Sequence, residues 1–311
     1  MIYLAPLQGF TDFVYRKNFA QVFTGVDAYF IPYISIKNGD VPAKYNKEIT
    51  PENNTQLRVV PQVLVEDGKE LETLVARLTD LGYSEINLNM GCPYPMVTKR
   101  GKGSGLLPFP AKIEAILSSY FEKWNTPLSV KLRAGLQSEN EIQQIIPILN
   151  KFPLKEVIFH PRIAQQLYSG SILETRFEMV QKDLQHELVF NGDIFTVSDY
   201  ENRQKQFPEI KTWMLGRGIL MNPFLPEEMK GIEITAETKR EKLRDFHRLM
   251  FESYSEIMDN EGNTLNKMQQ FWSYFSFNFP NQPKAFKQIK KSKSMIKYKA
   301  EVEKLFYQLY E

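Results

Sequence analysis

Eight short apolar runs, each followed by a longer amphipathic stretch, recur through the first 225 or so residues of this 311-residue chain. The runs are 2–5, 28–33, 59–65, 85–89, 128–132, 157–160, 188–191 and 212–215. Several are apolar at consecutive positions, the pattern of parallel strands covered on both faces by helices. Between them, Leu71, Leu74, Val75, Leu78 and Leu81 fall at helical spacings, and 110–121 and 139–149 behave alike. A doubly wound sheet would use fewer strands. Eight, alternating with helices, predict an α/β chain closed into a (β/α)8 TIM barrel.

The alternation stops at a Pro- and Glu-containing connector, 223–237. Thr238-Lys239-Arg240-Glu241 then reads as a capping box. Leu243, Phe246, Met250, Tyr254 and Ile257 continue at helical spacing, followed by helices over about 265–277 and 284–309. The expected organisation is a catalytic barrel over 1–237 and a C-terminal all-helical domain over 238–311. Net charge is only +2, yet 262–300 holds no Asp or Glu and eight lysines. Phosphate attraction on an amphipathic scaffold is the footprint of RNA, the plain alternative being a solvated helix face. Lys287 and Lys291 on the last helix, and Lys267 on the one before it, are the expected RNA contacts. The neighbouring aromatics Phe271, Trp272, Tyr274, Phe275, Phe277 and Phe279 read as core.

No apolar run reaches the roughly 18 residues of a membrane span. The start, Met1-Ile2-Tyr3-Leu4-Ala5-Pro6, lacks the basic and long apolar regions of a secretory signal. The chain has one cysteine, which excludes an internal disulfide and a thiolate metal cluster. A cytoplasmic monomer without metal or membrane partner is the expectation.

That cysteine, Cys92, follows the run Ile86-Asn87-Leu88-Asn89-Met90-Gly91. An isolated cysteine is most often buried filler. A strand that ends in asparagines, a glycine and a thiol instead delivers a reactive group to its own carboxyl end. Barrel chemistry collects there, and the other strand ends carry Ala5 to Gly9, Pro61-Gln62, Lys131 to Arg133, His160 to Arg162, Asn191-Gly192-Asp193 and Gly216-Arg217-Gly218. Singly, each has a bland explanation: a turn, an ion pair, a core histidine. Together they describe one mouth. The segments after strands seven and eight occupy the usual phosphate site, where Arg217 can clamp oxygens. Lys131 can hold an anionic ring edge, and Gln62 offers both a donor and an acceptor. A phosphate-bearing planar cofactor that gains negative charge on reduction points to FMN.

These segments resemble the tRNA-dihydrouridine synthases over nearly the whole chain. The likeness runs through Ala5 to Asp12 with Arg16, then Leu88-Asn89-Met90-Gly91-Cys92-Pro93 with Gly101, Gly103 and Ser104. It continues through Val130 to Gly135, the spaced set His160, Arg162, Gln166, Tyr168 and Gly170, then Asn191 to Ile194 and Gly216 to Gly218. The resemblance implies FMN-dependent, NADPH-driven reduction of a uracil in tRNA, with Cys92 giving a proton opposite the hydride. It further implies FMN contacts from Pro6, Leu7, Gln8, Gln62, Lys131, His160, Asn191, Gly192, Asp193, Gly216 and Arg217. Substrate contacts would come from Asn89, Arg133 and Arg162. Leu7 stands where the family commonly has Met, and Pro161 where a small residue is common. The C-terminal helices lean toward bacterial enzymes acting on the D-loop, position 16 among them. Two other functions compete: a flavin dehydrogenase of a free pyrimidine, similar to dihydroorotate dehydrogenase, and an RNA-binding protein with a vestigial barrel.

Overall fold

A computed structural model describes residues 1–309. Eight parallel strands close into a barrel in chain order: β1 (Ile2–Leu4), β2 (Ala28–Ile34), β3 (Val59–Val63), β4 (Ile86–Met90), β5 (Leu128–Gly135), β6 (Val157–Ile163), β7 (Leu188–Asn191) and β8 (Thr212–Leu215). The expected (β/α)8 architecture is present.

Strand alternation explains where the site lies. Successive side chains point to opposite faces of a strand. One face carries Ile86, Leu88 and Met90 of β4, Val130 and Leu132 of β5, and Val157 and Phe159 of β6, all buried apolar groups. The other carries Asn87 and Asn89, then Ser129, Lys131 and Arg133, then Ile158, His160 and Arg162. Val60, Ile158, Val189 and Met214 meet Tyr3 and Phe30 in one apolar cluster, so this second face is the barrel interior. It is apolar at the floor and becomes polar toward the carboxyl ends. Register then aligns the polar positions, with Asn89 opposite Lys131 and Arg133 opposite His160.

The chain divides into two compact units. The first comprises Met1–Gln8, Asp27–Asp193 and Phe207–Met214; the second comprises Gly9–Val26, Ile194–Gln206 and the chain from Leu215 onward. Within the second, Asp12 caps the helix Phe13–Val22 by accepting from the Tyr15 N–H at 3.1 Å. Longer helices follow the connector: Ala236–Ile257, Glu261–Phe275, Gln282–Lys290 and Met295–Gln308.

Three local expectations change. The helix expected to open at Thr238 opens earlier, because Thr235 caps it by accepting from the Thr238 N–H at 3.2 Å. The connector itself holds a short helix, Leu225–Met229. The last helix, expected as one piece, is two. Ser294 starts the second piece by accepting from the Lys297 N–H at 3.4 Å, and Ser292 back-bonds to the Gln288 carbonyl at 3.3 Å. Serines compete with the helix ladder in this way, which favours a cap over continuation. Lys287 therefore sits on the first piece and Lys291 at its C-cap.

Most of the aromatics expected in the core are there: Phe271, Trp272, Phe275 and Phe279 are buried, whereas Phe277 is exposed. Trp272 Nε1 donates to the Tyr298 hydroxyl at 3.0 Å, and that hydroxyl lies 2.7 Å from His247 Nε2. Burial pushes the His247 pKa down to about 3, so the ring is neutral. No helix of the described residues is long and apolar enough to cross a membrane.

Candidate active site

The thiol is presented by a loop that folds back on itself. Asn89, at the end of β4, accepts through its side-chain carbonyl from the backbone N–H of Gly91 at 3.0 Å and of Cys92 at 2.9 Å. Ser104 donates from its hydroxyl to the Cys92 carbonyl at 2.6 Å and from its backbone N–H at 3.1 Å. Gly103 makes this return possible: its φ is +58°, and a Cβ there would lie 2.8 Å from the Cys92 carbonyl oxygen. Cys92 is 7% exposed. It packs with Leu64, Val97 and the ring of Tyr33.

Burial pushes the Cys92 thiol pKa up. The Tyr94 backbone N–H, the Tyr33 hydroxyl and the positive charges of Arg133 and Lys131 act in the opposite direction and do not overcome it. Cys92 therefore holds its proton at neutral pH, as an acid must and a nucleophile should not.

A chain of amides runs along the interior beneath it. Asn89 Nδ2 donates to Gln62 Oε1 at 2.6 Å, Gln62 Nε2 to Asn87 Oδ1 at 2.7 Å, and Asn87 Nδ2 to Ser129 Oγ at 2.9 Å. Each amide is oriented by its neighbour. Gln62 retains a second N–H and a second carbonyl lone pair beyond these two bonds.

Three cations line the same mouth. Lys131 Nζ donates to Asn191 Oδ1 at 2.7 Å, and Asn191 Nδ2 donates to the Met214 carbonyl at 2.8 Å. Burial, assisted by the nearby Arg133, pushes the Lys131 pKa down to about 7. Arg133 donates to the Gly91 and Ile163 carbonyls, both at 3.1 Å, and its guanidinium lies 5.3 Å from the Tyr168 ring centre. Its pKa is also lowered by burial, to about 10. Arg162 forks onto both carboxylate oxygens of Asp193, with Nη1 2.9 Å from Oδ1. Its Nη1 is 3.2 Å from His160 Nε2, while its buried Nε has no partner. The His160 ring stacks on Tyr168 with centroids 6.4 Å apart.

Nine of the expected residues are thus brought together in the first unit: Gln62, Asn89, Cys92, Lys131, Arg133, His160, Arg162, Asn191 and Asp193. Arg162 and Asp193, expected as substrate and cofactor contacts respectively, spend much of their charge on each other. His160 turns to Arg162 and Tyr168, and the cations acting on the thiol are Arg133 and Lys131. Pro6 and Leu7 are partly exposed after β1, and Gln8 is exposed.

In the second unit, Gly216 precedes the short helix Arg217–Met221, and the Arg217 guanidinium lies 5.2 Å from the Phe195 ring centre. Lys267 donates to the Gly9 carbonyl at 2.8 Å and pairs with Asp12, also at 2.8 Å. Lys287 and Lys291 are exposed. The sequence gives no role to Tyr33, which is only the end of an apolar run there. It offers Ser104 only as part of a family pattern.

The residues at this mouth fit a flat, electron-accepting ring. A partly buried lysine with no carboxylate partner among the described residues suits an anionic edge. Gln62 has one donor and one acceptor to spare, and Arg162 has an orphaned N–H.

A family model described as dihydrouridine synthase (Dus) matches residues 3–309. The chain belongs to that family. Over 314 residues it is 24% identical to the probable tRNA-dihydrouridine synthase 2 of Bacillus subtilis, covering 96% of this chain and 91% of that one. It is 25% identical to the tRNA-dihydrouridine(16) synthase of Cupriavidus necator over 239 residues, 74% of each. Against the tRNA-dihydrouridine(47) synthase-like protein of Arabidopsis thaliana it is 27% identical over 195 residues, but spans only 28% of that longer protein. Among solved structures, histamine dehydrogenase from Rhizobium sp. 4-9 aligns with a TM-score of 0.55 at 10% identity, over 80% of this dihydrouridine synthase family chain and 48% of that one. The old yellow enzyme from Trypanosoma cruzi aligns at 0.51 and 8%, over 75% and 88%. At such identities the likeness is one of fold.

Proposed function

We propose that this chain is a tRNA-dihydrouridine synthase, reducing the 5,6 double bond of a specific tRNA uridine with FMN bound at the barrel mouth and NADPH as reductant. One juxtaposition supports it above all: a protonated thiol beside two cations, at the carboxyl ends of neighbouring strands, in a chain of this family.

When bound and reduced, FMN supplies a hydride to one carbon of the double bond. The other carbon then needs a proton. Cys92 holds one at neutral pH and gives it up as that carbon gains electron density: the S–H bond breaks and a C–H bond forms. The thiolate left behind faces the Tyr94 N–H and the charges of Lys131 and Arg133. Lys131 would hold the anionic edge of the ring system and Gln62 its donor–acceptor edge. His160, Asn191, Gly192, Asp193 and the backbone of Pro6, Leu7 and Gln8 would line it, and Gly216 and Arg217 would hold the phosphate. Arg133 would face a uracil carbonyl, with Asn89 shaping the loop beneath the base. Arg162 would act mainly by holding Asp193 and His160 in place.

The target base must leave the tRNA stack to reach this mouth, as base-modifying enzymes in general require. Residues 1–237 would serve catalysis and 238–311 tRNA binding, with Lys287 and Lys291 on the RNA side. A cytoplasmic monomer suffices. Position 16 is the first uridine to test, against position 47, which the name of the Arabidopsis relative carries.

The experiment is to purify the protein, record its visible spectrum, and supply NADPH with dihydrouridine-free tRNA. Flavin absorbance and NADPH-dependent dihydrouridine at one mapped position are expected. Turnover of free orotate or uracil without turnover of tRNA would replace this function with a small-molecule dehydrogenase. tRNA binding without flavin would leave only an RNA-binding protein.

A further inference from the structure

Lys267, expected from the sequence as an RNA contact, is spent inside the protein. Its side chain is 15% exposed, and its ammonium donates to the Gly9 carbonyl and to Asp12 Oδ2, both at 2.8 Å. The Tyr254 hydroxyl donates to both oxygens of the same carboxylate, at 2.9 and 3.0 Å, and the ammonium lies 5.0 Å from the centre of that tyrosine ring. A phosphate would have to compete with a carboxylate already in place. These bonds converge on one short segment. Gly9 to Asp12 directly follows Pro6-Leu7-Gln8 and ends where Asp12 caps the helix Phe13–Val22. Gly9 has a φ of +83°, a conformation that suits glycine, and a Cβ there would come within 3.1 Å of Gln270 Nε2. The Phe10 ring meets Tyr274 edge-on, with centroids 5.0 Å apart at 83°. Lys267, Gln270 and Tyr274 follow one another at spacings of three and four, so a single face of the helix Glu261–Phe275 holds this segment. All of these residues belong to the second unit.

We propose that Lys267 is a positioning residue of the flavin site and not an RNA contact. With Asp12 it fixes the segment from Gly9 to Asp12, and so holds the Pro6-Leu7-Gln8 backbone, one peptide bond away, in the arrangement that receives the cofactor. This rests on FMN being bound by that backbone, as in the proposed function. The physical reason is conformational. A segment released from its anchor samples other arrangements, and the apparent affinity of a ligand falls by the fraction of molecules that remain competent to bind it.

Lys267→Met keeps most of the side-chain stem and removes the ammonium. Titration of FMN into the flavin-stripped variant, well below its melting temperature, should give a Kd about tenfold higher than wild type. Lys267→Arg restores a cation and should recover most of that loss. Tyr298→Phe is the control for general destabilisation, because its hydroxyl meets Trp272 and His247 of the same unit instead; it should bind FMN as wild type does. Without flavin, amide hydrogen exchange across residues 9–12 should be faster in Lys267→Met and unchanged in Tyr298→Phe. With FMN saturating, the salt dependence of tRNA binding by Lys267→Met should match wild type. Wild-type FMN affinity in Lys267→Met would overturn the positioning role, and so would an equal loss in Tyr298→Phe. A shallower salt slope with FMN affinity intact would return Lys267 to the RNA face. If the wild type binds no FMN, the proposed function fails and the flavin role of Lys267 fails with it, whereas faster exchange in Lys267→Met would still show that the lysine anchors the segment.

Discussion

The side-chain carbonyl of Asn89 lies 2.9 Å from the backbone nitrogen of Cys92 and accepts its N–H. The last polar residue of β4 thus builds the turn that carries the thiol, and through Nδ2 it is itself held by Gln62. Asn89→Ala leaves two loop N–H groups without their acceptor, at a cost of about 1–2 kcal/mol. The expected outcome is a drop in kcat of at least about tenfold with most of the flavin retained, since the thiol is misplaced while the cations remain. Asn89→Asp preserves the acceptor and should recover part of the loss. Steady-state kinetics with thermal melts of both variants measure this, and an Asn89→Ala variant as fast as wild type would contradict it.

Lys131 should make cofactor binding depend on pH. With its pKa pushed down to about 7, much of the lysine is neutral in the flavin-free protein above that value. An anionic ring edge beside Nζ favours the charged form, so binding takes up a proton above pH 7. FMN affinity should therefore fall as pH rises from 7 to 9, by at most tenfold per unit. Titrations of FMN into flavin-stripped protein across that range test this, and Lys131→Met should bind weakly with the dependence gone.

At the opposite end of the barrel, Glu156 accepts from the Tyr3 hydroxyl at 3.1 Å through Oε2, and its buried Oε1 has no partner. Burial, then repulsion from Glu85, pushes this carboxyl from 4.5 up to about 7. The native state thus holds a proton that the unfolded chain releases. This stabilising term is complete below pH 4.5 and is lost as pH rises through about 7. Glu156→Gln keeps a neutral group of the same shape. It should raise the melting temperature at pH 8 relative to wild type and leave it nearly unchanged at pH 4.5. Equal effects at both pH values would count against a buried, protonated Glu156.

The lysines expected to contact RNA separate into two kinds. Lys267 pairs with Asp12, which also accepts from the Tyr254 hydroxyl at 2.9 Å, so Lys267→Ala should destabilise the second unit by roughly 1–3 kcal/mol. Lys287 and Lys291 are exposed. Alanine at both should leave stability within about 0.5 kcal/mol. The same double change should reduce the slope of log affinity for tRNA against log salt by about one for each phosphate that these lysines neutralise. A melting curve beside a salt titration distinguishes the two effects.

The barrel is legible in the sequence because strand composition and spacing are local properties. The polar mouth is legible because the period of two places Asn89, Lys131, Arg133, His160 and Arg162 on one face. What remains hidden is set by partners distant along the chain. Nothing local says that Arg162 spends its charge on Asp193, or that Lys267 pairs with Asp12. Tyr33 is separated from Cys92 by a complete strand–helix unit, so its packing against the thiol's cluster is invisible until β2, β3 and β4 lie side by side. The break before Met295 is hidden for a different reason: periodicity continues across it, and only the back-bond of Ser292 and the N-cap of Ser294 mark it.

The most direct measurement of the central claim is single-turnover reduction of dihydrouridine-free tRNA by the Cys92→Ala variant, loaded with FMN and reduced by NADPH beforehand. Removing the acid should slow dihydrouridine formation by about 10²-fold or more, while flavin content, flavin reduction and tRNA affinity stay near wild type. Dihydrouridine appearing at the wild-type rate in that variant would show that Cys92 is not the proton donor.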